Sequence, residues 1–86
     1  MKLTELQNKK IIIVGKGIEG NAAYKYFKKH LPNAVIDIAD KKDGSDYLNS
    51  QKNYDIAVKS PGVNPDLIKI PYTTATNIFS WPTALG

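Results

Sequence analysis

Cysteine is missing from this 86-residue chain, and so is arginine. Without cysteine there is no disulfide scaffold, no thiol nucleophile and no thiolate-bound zinc, which suits a reducing compartment. Without arginine there are no planar forks to grip guanine or phosphate in two places. All twelve basic residues are lysines, each a point charge. Histidine occurs once, at His30, which removes multi-histidine metal sites and most serine–histidine arrangements. No apolar run approaches the ~20 residues of a membrane span, and the opening Met1-Lys2-Leu3-Thr4-Glu5 lacks the apolar core of a secretion signal. The expectation is a cytoplasmic protein with no membrane partner.

Other chemistry is scarce too. There is no GxxxxGK[ST] phosphate loop, no pair of carboxylates at a readable spacing and no activated nucleophile. No catalytic residue and no metal ligand are therefore expected. The net charge of +4 comes from lysines scattered in pairs at 9–10, 28–29 and 41–42 rather than gathered in a stripe, so no nucleic-acid partner is expected either. A hydrophobic share of 42% is too high for a disordered chain, and the length allows one small domain.

What is present is a strand–helix alternation. Leu3 to Lys10 is polar, with room for one helical turn. Ile11-Ile12-Ile13-Val14 is a run of four β-branched residues, the pattern of a strand buried on both faces in a parallel sheet. From Ile18 to Leu31 the period becomes helical, with Ala22, Ala23, Tyr26, Phe27 and Leu31 as the apolar face, and Pro32-Asn33 stops it. Ala34 to Ala39 reads as a second strand and Asp55 to Val58 as a third. Ser45 or Asp46 is placed to cap a short helix reaching Ser50. Asn64-Pro65-Asp66 opens a turn, and Tyr72 to Ala75 is a fourth short strand. The predicted fold is α/β: a Rossmann-like three-layer domain over residues 1–80 with a mostly parallel sheet of four or five strands. Residues 81–86 are a tail or the start of a linker.

The loop Gly15-Lys16-Gly17-Ile18-Glu19-Gly20 is the strongest local signal. In a strand–GxGxxG–helix turn the first glycine makes the turn, the second admits a phosphate and the third packs helix on strand. The helix N-terminus then offers unpaired N–H groups to an anion. The spacing alone equally describes a simple tight turn; the strand before it and the helix after it favour phosphate. Asp40 ends the second strand, where an acid accepts hydrogen bonds from ribose hydroxyls, and Lys41 and Lys42 beside it either meet phosphate or keep the turn solvated. Ser60-Pro61-Gly62 ends the third strand on the same sheet edge, as a further wall of a ligand site or as a generic turn.

These pieces in this order, IIIVGKGIEG (11–20), VIDIAD (35–40), DIAVKSPGVNP (55–65) and TTATNIF (73–79), resemble the N-terminal domain of the Mur ligase family across about residues 9 to 80. The resemblance implies a domain that docks the UDP part of a muramoyl substrate, with UDP-N-acetylmuramoyl-L-alanine as the ligand of the member most similar. Backbone groups of Gly17, Ile18, Glu19 and Gly20 would hold the diphosphate, with Gly15 in the same UDP site. Asp40 and Lys41 would lie against uracil and ribose, and Ser60, Pro61 and Gly62 would wall the nucleotide opposite. Thr76 and Asn77 would begin the connection to an ATPase domain. ATP, Mg²⁺ and the amide-bond chemistry would belong to that domain and a C-terminal one, with no cofactor in this domain. Glu19 departs from the threonine or serine of many members. The alternatives are an NAD(H)-binding regulatory module and an interaction domain whose glycine loop is only a turn.

Overall fold

The computed structural model describes residues 3–15, 17–40, 42, 44, 46–75 and 77–80. Four strands, β1 (Lys10–Val14), β2 (Val35–Ala39), β3 (Ile56–Lys59) and β4 (Tyr72–Thr74), form one sheet in the order β2-β1-β3-β4. Every pairing is parallel, with Ile12 opposite Asp37 on one side and Ala57 on the other. This is the expected α/β, Rossmann-like arrangement.

β1 lies inside the sheet because its side chains require it. Ile11, Ile12, Ile13 and Val14 are each no more than 2% exposed, so both faces of the strand are covered. Each such burial is worth roughly 1.5–3 kcal/mol. On one face lies the single α-helix among the described residues, α1 (Ile18–His30). Gly20, Ala23 and Phe27 are its buried residues, a spacing of three and four that keeps one stripe on the sheet. Ala22, expected on that stripe, is exposed one step round the helix. Lys28, Lys29 and His30 occupy the last turn, where positive charge suits the helix dipole. His30 is half-buried and packs on the ring of Tyr26, with 4.6 Å between ring centroids. Leu31 caps the helix and donates its N–H to the Phe27 carbonyl at 2.7 Å.

The opposite face is covered without an α-helix. Residues 46–50, expected as a short helix, form successive turns, followed by a 3₁₀ turn at Gln51–Asn53. The bonds there run three residues back: Asn49 to Asp46 at 2.9 Å, Gln51 to Leu48 at 3.1 Å. Gly44 at φ 122° opens the segment in a left-handed conformation, and Asp46, Asn49 and Ser50 are poor helix formers that compete with the backbone for hydrogen bonds. Tyr47, Leu48 and Tyr54 from these turns, with Val63 and Ile70 from the segment between β3 and β4, pack onto Ile12, Val14, Ala39, Ala57 and Ile68. The third layer is therefore built of turns.

Two polar contacts steady the sheet. Lys10 N–H donates to Asp55 Oδ2 at 2.8 Å while Asp55 N–H returns to the Lys10 carbonyl at 2.7 Å. Tyr54 donates its hydroxyl to Asp37 Oδ2 at 2.6 Å. That hydrogen bond, then partial burial, then the carboxylate's charge push the Tyr54 phenol up to about 12 from 10.0. Because the folded value is the higher one, this contribution to stability is complete below pH 10 and is lost as pH rises from there toward 12. Urea midpoints should therefore fall more steeply between pH 10 and 12 in the parent than in Tyr54→Phe. Equal slopes would show that the pair contributes nothing.

Candidate functional site

The chain leaves β1 to build β2 on one side, then crosses to the other side of β1 to build β3. The carboxyl ends of β1 and β3 thus flank the switch point of the sheet, where ligands of open α/β sheets bind. Gly15 follows β1 there and Ser60 follows β3. The hydrogen-bond ladder extends past both strand ends: Gly15 N–H donates to the Ala39 carbonyl at 2.8 Å, and Ser60 N–H to the Val14 carbonyl at 2.9 Å. Those two N–H groups are consequently spent on the sheet and shape the site rather than address a ligand.

Gly15 has φ 99°, a conformation that only glycine adopts without strain, and a Cβ there would sit 2.8 Å from Ser60 Oγ. The Ser60 hydroxyl donates to the Gly15 carbonyl at 3.3 Å, which ties the two loops together. Gly20 meets the same carbonyl from the helix side: a Cβ on Gly20 would lie 2.0 Å from the Gly15 oxygen. The first and third glycines are therefore packing requirements. Gly17 is different. It sits at the helix N-cap with φ −70°, exposed, and a Cβ there would find only the Glu19 Oε2 at 3.7 Å. Nothing among the described residues asks for glycine at 17.

A cleft of about 340 Å³ opens at this switch point. Gly15 and Gly17 line one end, beside the start of α1, whose N-cap supplies no side-chain hydrogen bond to the first-turn N–H groups. Asp40, Ser60 and Gly62 line it as well. Asp40 Oδ1 accepts the Lys42 N–H at 3.1 Å, so the carboxylate is held by its own turn. Five of the ten residues singled out in the sequence thus converge on one cleft. Ile18, 86% exposed, Glu19 and Pro61 stand at the surface outside its lining, and Gly20 is buried beneath it. Lys41, Lys16, Ser45, Thr76 and residues 81–86 lie outside the described residues.

The sequence reading missed the remaining wall, which is Tyr47, Val63, Asn64 and Leu67. Asn64-Pro65-Asp66 carried a signal, but only as a turn or the start of a short helix through Ile68; it forms the 3₁₀ turn Pro65–Leu67, with Asn64 Oδ1 accepting the Asp66 N–H at 2.9 Å. The reading also missed Lys59. It is the last residue of β3, 7% exposed, and its Nζ donates to the Ser60 carbonyl at 3.4 Å, which places a cation behind the Ser60 loop.

The cleft combines the glycine loop at the start of α1 with polar groups of Asp40, Ser60 and Asn64 and apolar side chains of Val63 and Leu67, and no described side chain in it is set up as a nucleophile with a base. Among the described residues no helix is long and apolar enough to cross a membrane. Comparison with protein-family models, with curated proteins and with solved structures finds no match in any of the three.

Proposed function

We propose that this chain is the N-terminal nucleotide-sugar-binding domain of a cytoplasmic UDP-N-acetylmuramoyl-L-alanine:D-glutamate ligase, and that it docks the UDP moiety for peptidoglycan precursor synthesis. The observation that carries the reading is the convergence of Gly15, Gly17, Asp40, Ser60 and Gly62 on one cleft at the β1/β3 switch point. In the ligase, ATP and Mg²⁺ act on partner domains, and this domain holds substrate and has no catalytic residue of its own. The diphosphate lies over Gly17 at the start of α1, where N–H groups and the helix dipole favour it. Asp40 meets the ribose. The exposed Ile18 side chain is no contact, and Gly20 acts through packing.

A nicotinamide-dinucleotide module is the second reading, and Asp40 beyond the glycine loop is the feature that favours it. The cleft volume of about 340 Å³ argues for the smaller ligand, since it lies at the low end of ligand pockets, ~300–1,000 Å³. Thermal shifts measured with UDP and with NADH separate the readings. UDP should raise the melting temperature and NADH leave it unchanged. The reverse would favour the second reading, and no shift with either would favour a loop that is only a turn.

Glu19 bears on the same site. Its carboxylate suits the empty helix N-terminus but is a like charge beside a bound diphosphate. Glu19→Thr is expected to tighten UDP binding several-fold at low salt, with the gain shrinking as salt screens it. Weaker binding of the threonine variant, together with a lost dependence on Mg²⁺, would mean that Glu19 shares a cation with the phosphates.

A further inference from the structure

The wall that sequence patterning passed over has a chemistry of its own. Tyr47 and Leu67 reach the cleft from two separate turns, and a buried side chain joins those turns. Gln51, 8% exposed, donates its Nε2 to the Leu67 carbonyl at 3.0 Å and accepts the Lys69 N–H on its Oε1 at 2.7 Å. Both ends of one amide are used, so the Tyr47 turn and the Leu67 turn are fixed relative to each other before any ligand arrives. Leu67 nevertheless stays 45% exposed, an apolar side chain left at the cleft mouth. Asn64 lies beside it, and its orientation is decided chemically: Oδ1 takes the Asp66 N–H at 2.9 Å, which leaves Nδ2, a donor, as the part that can address a ligand.

We infer that Tyr47, Leu67 and Asn64 form the subsite for the base of the bound nucleotide, and that Asn64 selects a carbonyl edge over an amino edge. The inference rests on the nucleotide reading of the cleft given above. A flat ring stacks on Tyr47 and is closed in by Leu67, and such stacking tolerates any base. Selection comes from Asn64. Its Nδ2 donates to a ring carbonyl, as uracil presents at O4, and meets an unfavourable donor where cytosine carries its exocyclic amine. A site built to donate one hydrogen bond rejects the analogue that cannot accept it. Asp40 and the glycine loop then take the ribose and phosphates of the same ligand.

Dissociation constants of the 86-residue chain for UDP and CDP, measured by calorimetry in the parent and three variants, test this. The parent should prefer UDP over CDP by at least about fivefold. Asn64→Asp keeps the oxygen that accepts the Asp66 N–H and replaces the donor with an acceptor, so the preference should vanish or reverse; the added charge acts on both ligands alike. Tyr47→Phe should bind UDP within about twofold of the parent, whereas Tyr47→Leu, which keeps apolar volume but loses the ring, should weaken both nucleotides by about fivefold or more. A parent without preference, a preference that survives Asn64→Asp, or Tyr47→Leu binding like the parent overturns the base subsite while nucleotide binding stands. A parent that binds neither nucleotide overturns the nucleotide reading and this inference with it.

Discussion

Gly20→Ala is expected to destabilise the fold strongly. The added Cβ would lie 2.0 Å from the Gly15 carbonyl oxygen, and the obstacle is backbone, so no side-chain rotation relieves it. Either α1 lifts from β1, exposing the contacts of Ala23 and Phe27, or the Gly15 turn moves and breaks its ties to Ala39 and Ser60. Overpacking of this kind costs roughly 1–3 kcal/mol and occasionally more. Each kcal/mol lowers the melting temperature of a domain this small by about 4–8 °C. A fall of roughly 10 °C or more in a thermal melt, or failure to fold, is the expected outcome. Gly62→Ala is the control, because a Cβ there meets nothing within 4 Å, and it should melt like the parent. A Gly20→Ala variant that melts within a few degrees of the parent would mean that the helix does not sit on the strand in this way.

Gly17→Val should show the opposite signature: an unchanged fold and a lost ligand. The backbone at 17 has φ −70° and ψ −167°, open to any residue, and among the described residues a Cβ there meets only the tip of Glu19. The melting temperature should stay within about 3 °C of the parent. A branched side chain there would fill the space over the first helical turn where the diphosphate lies, so UDP affinity should drop by about 100-fold or more, some 2.7 kcal/mol. If calorimetry finds UDP bound as in the parent, the glycine loop is a turn and the ligand lies elsewhere. Two glycines three residues apart thus separate the packing function of the loop from its binding function.

The contrast also explains how much was legible in the sequence. β1 was visible because a run such as Ile11 to Val14 calls for burial on both faces, as in an interior strand of a covered parallel sheet. α1 and its stop at Pro32 followed from periodicity, and the strand ends then brought Gly15, Asp40 and Ser60 to one edge of the sheet. The strand assignments hold to within a residue, with β3 taking in Lys59, whose burial a strand-end charge does not advertise. The turns between residues 46 and 54 were not legible as such. They have no period, and their shape depends on three-residue hydrogen bonds and on Gln51 bridging to Leu67 and Lys69, partners 16 and 18 residues away. For the same reason Tyr47 and Leu67 escaped notice: no local pattern marks a side chain whose place is set by a tertiary tie, and Asn64 was legible as part of a turn but not as a wall of the cleft. The glycines were legible as a motif, but their separate duties appear only when the space around each is known.

One measurement addresses the site as a whole. Backbone amide resonances of the ¹⁵N-labelled chain, followed during titration with UDP, should move at Gly17, Ile18 and Glu19 at the start of α1, at Asp40, and at Gly62 beyond β3, while those of Asp55 and Lys10 at the opposite end of the sheet stay in place. Shifts concentrated away from the carboxyl ends of β1 and β3, or no shifts at millimolar UDP, would contradict nucleotide docking at the switch point.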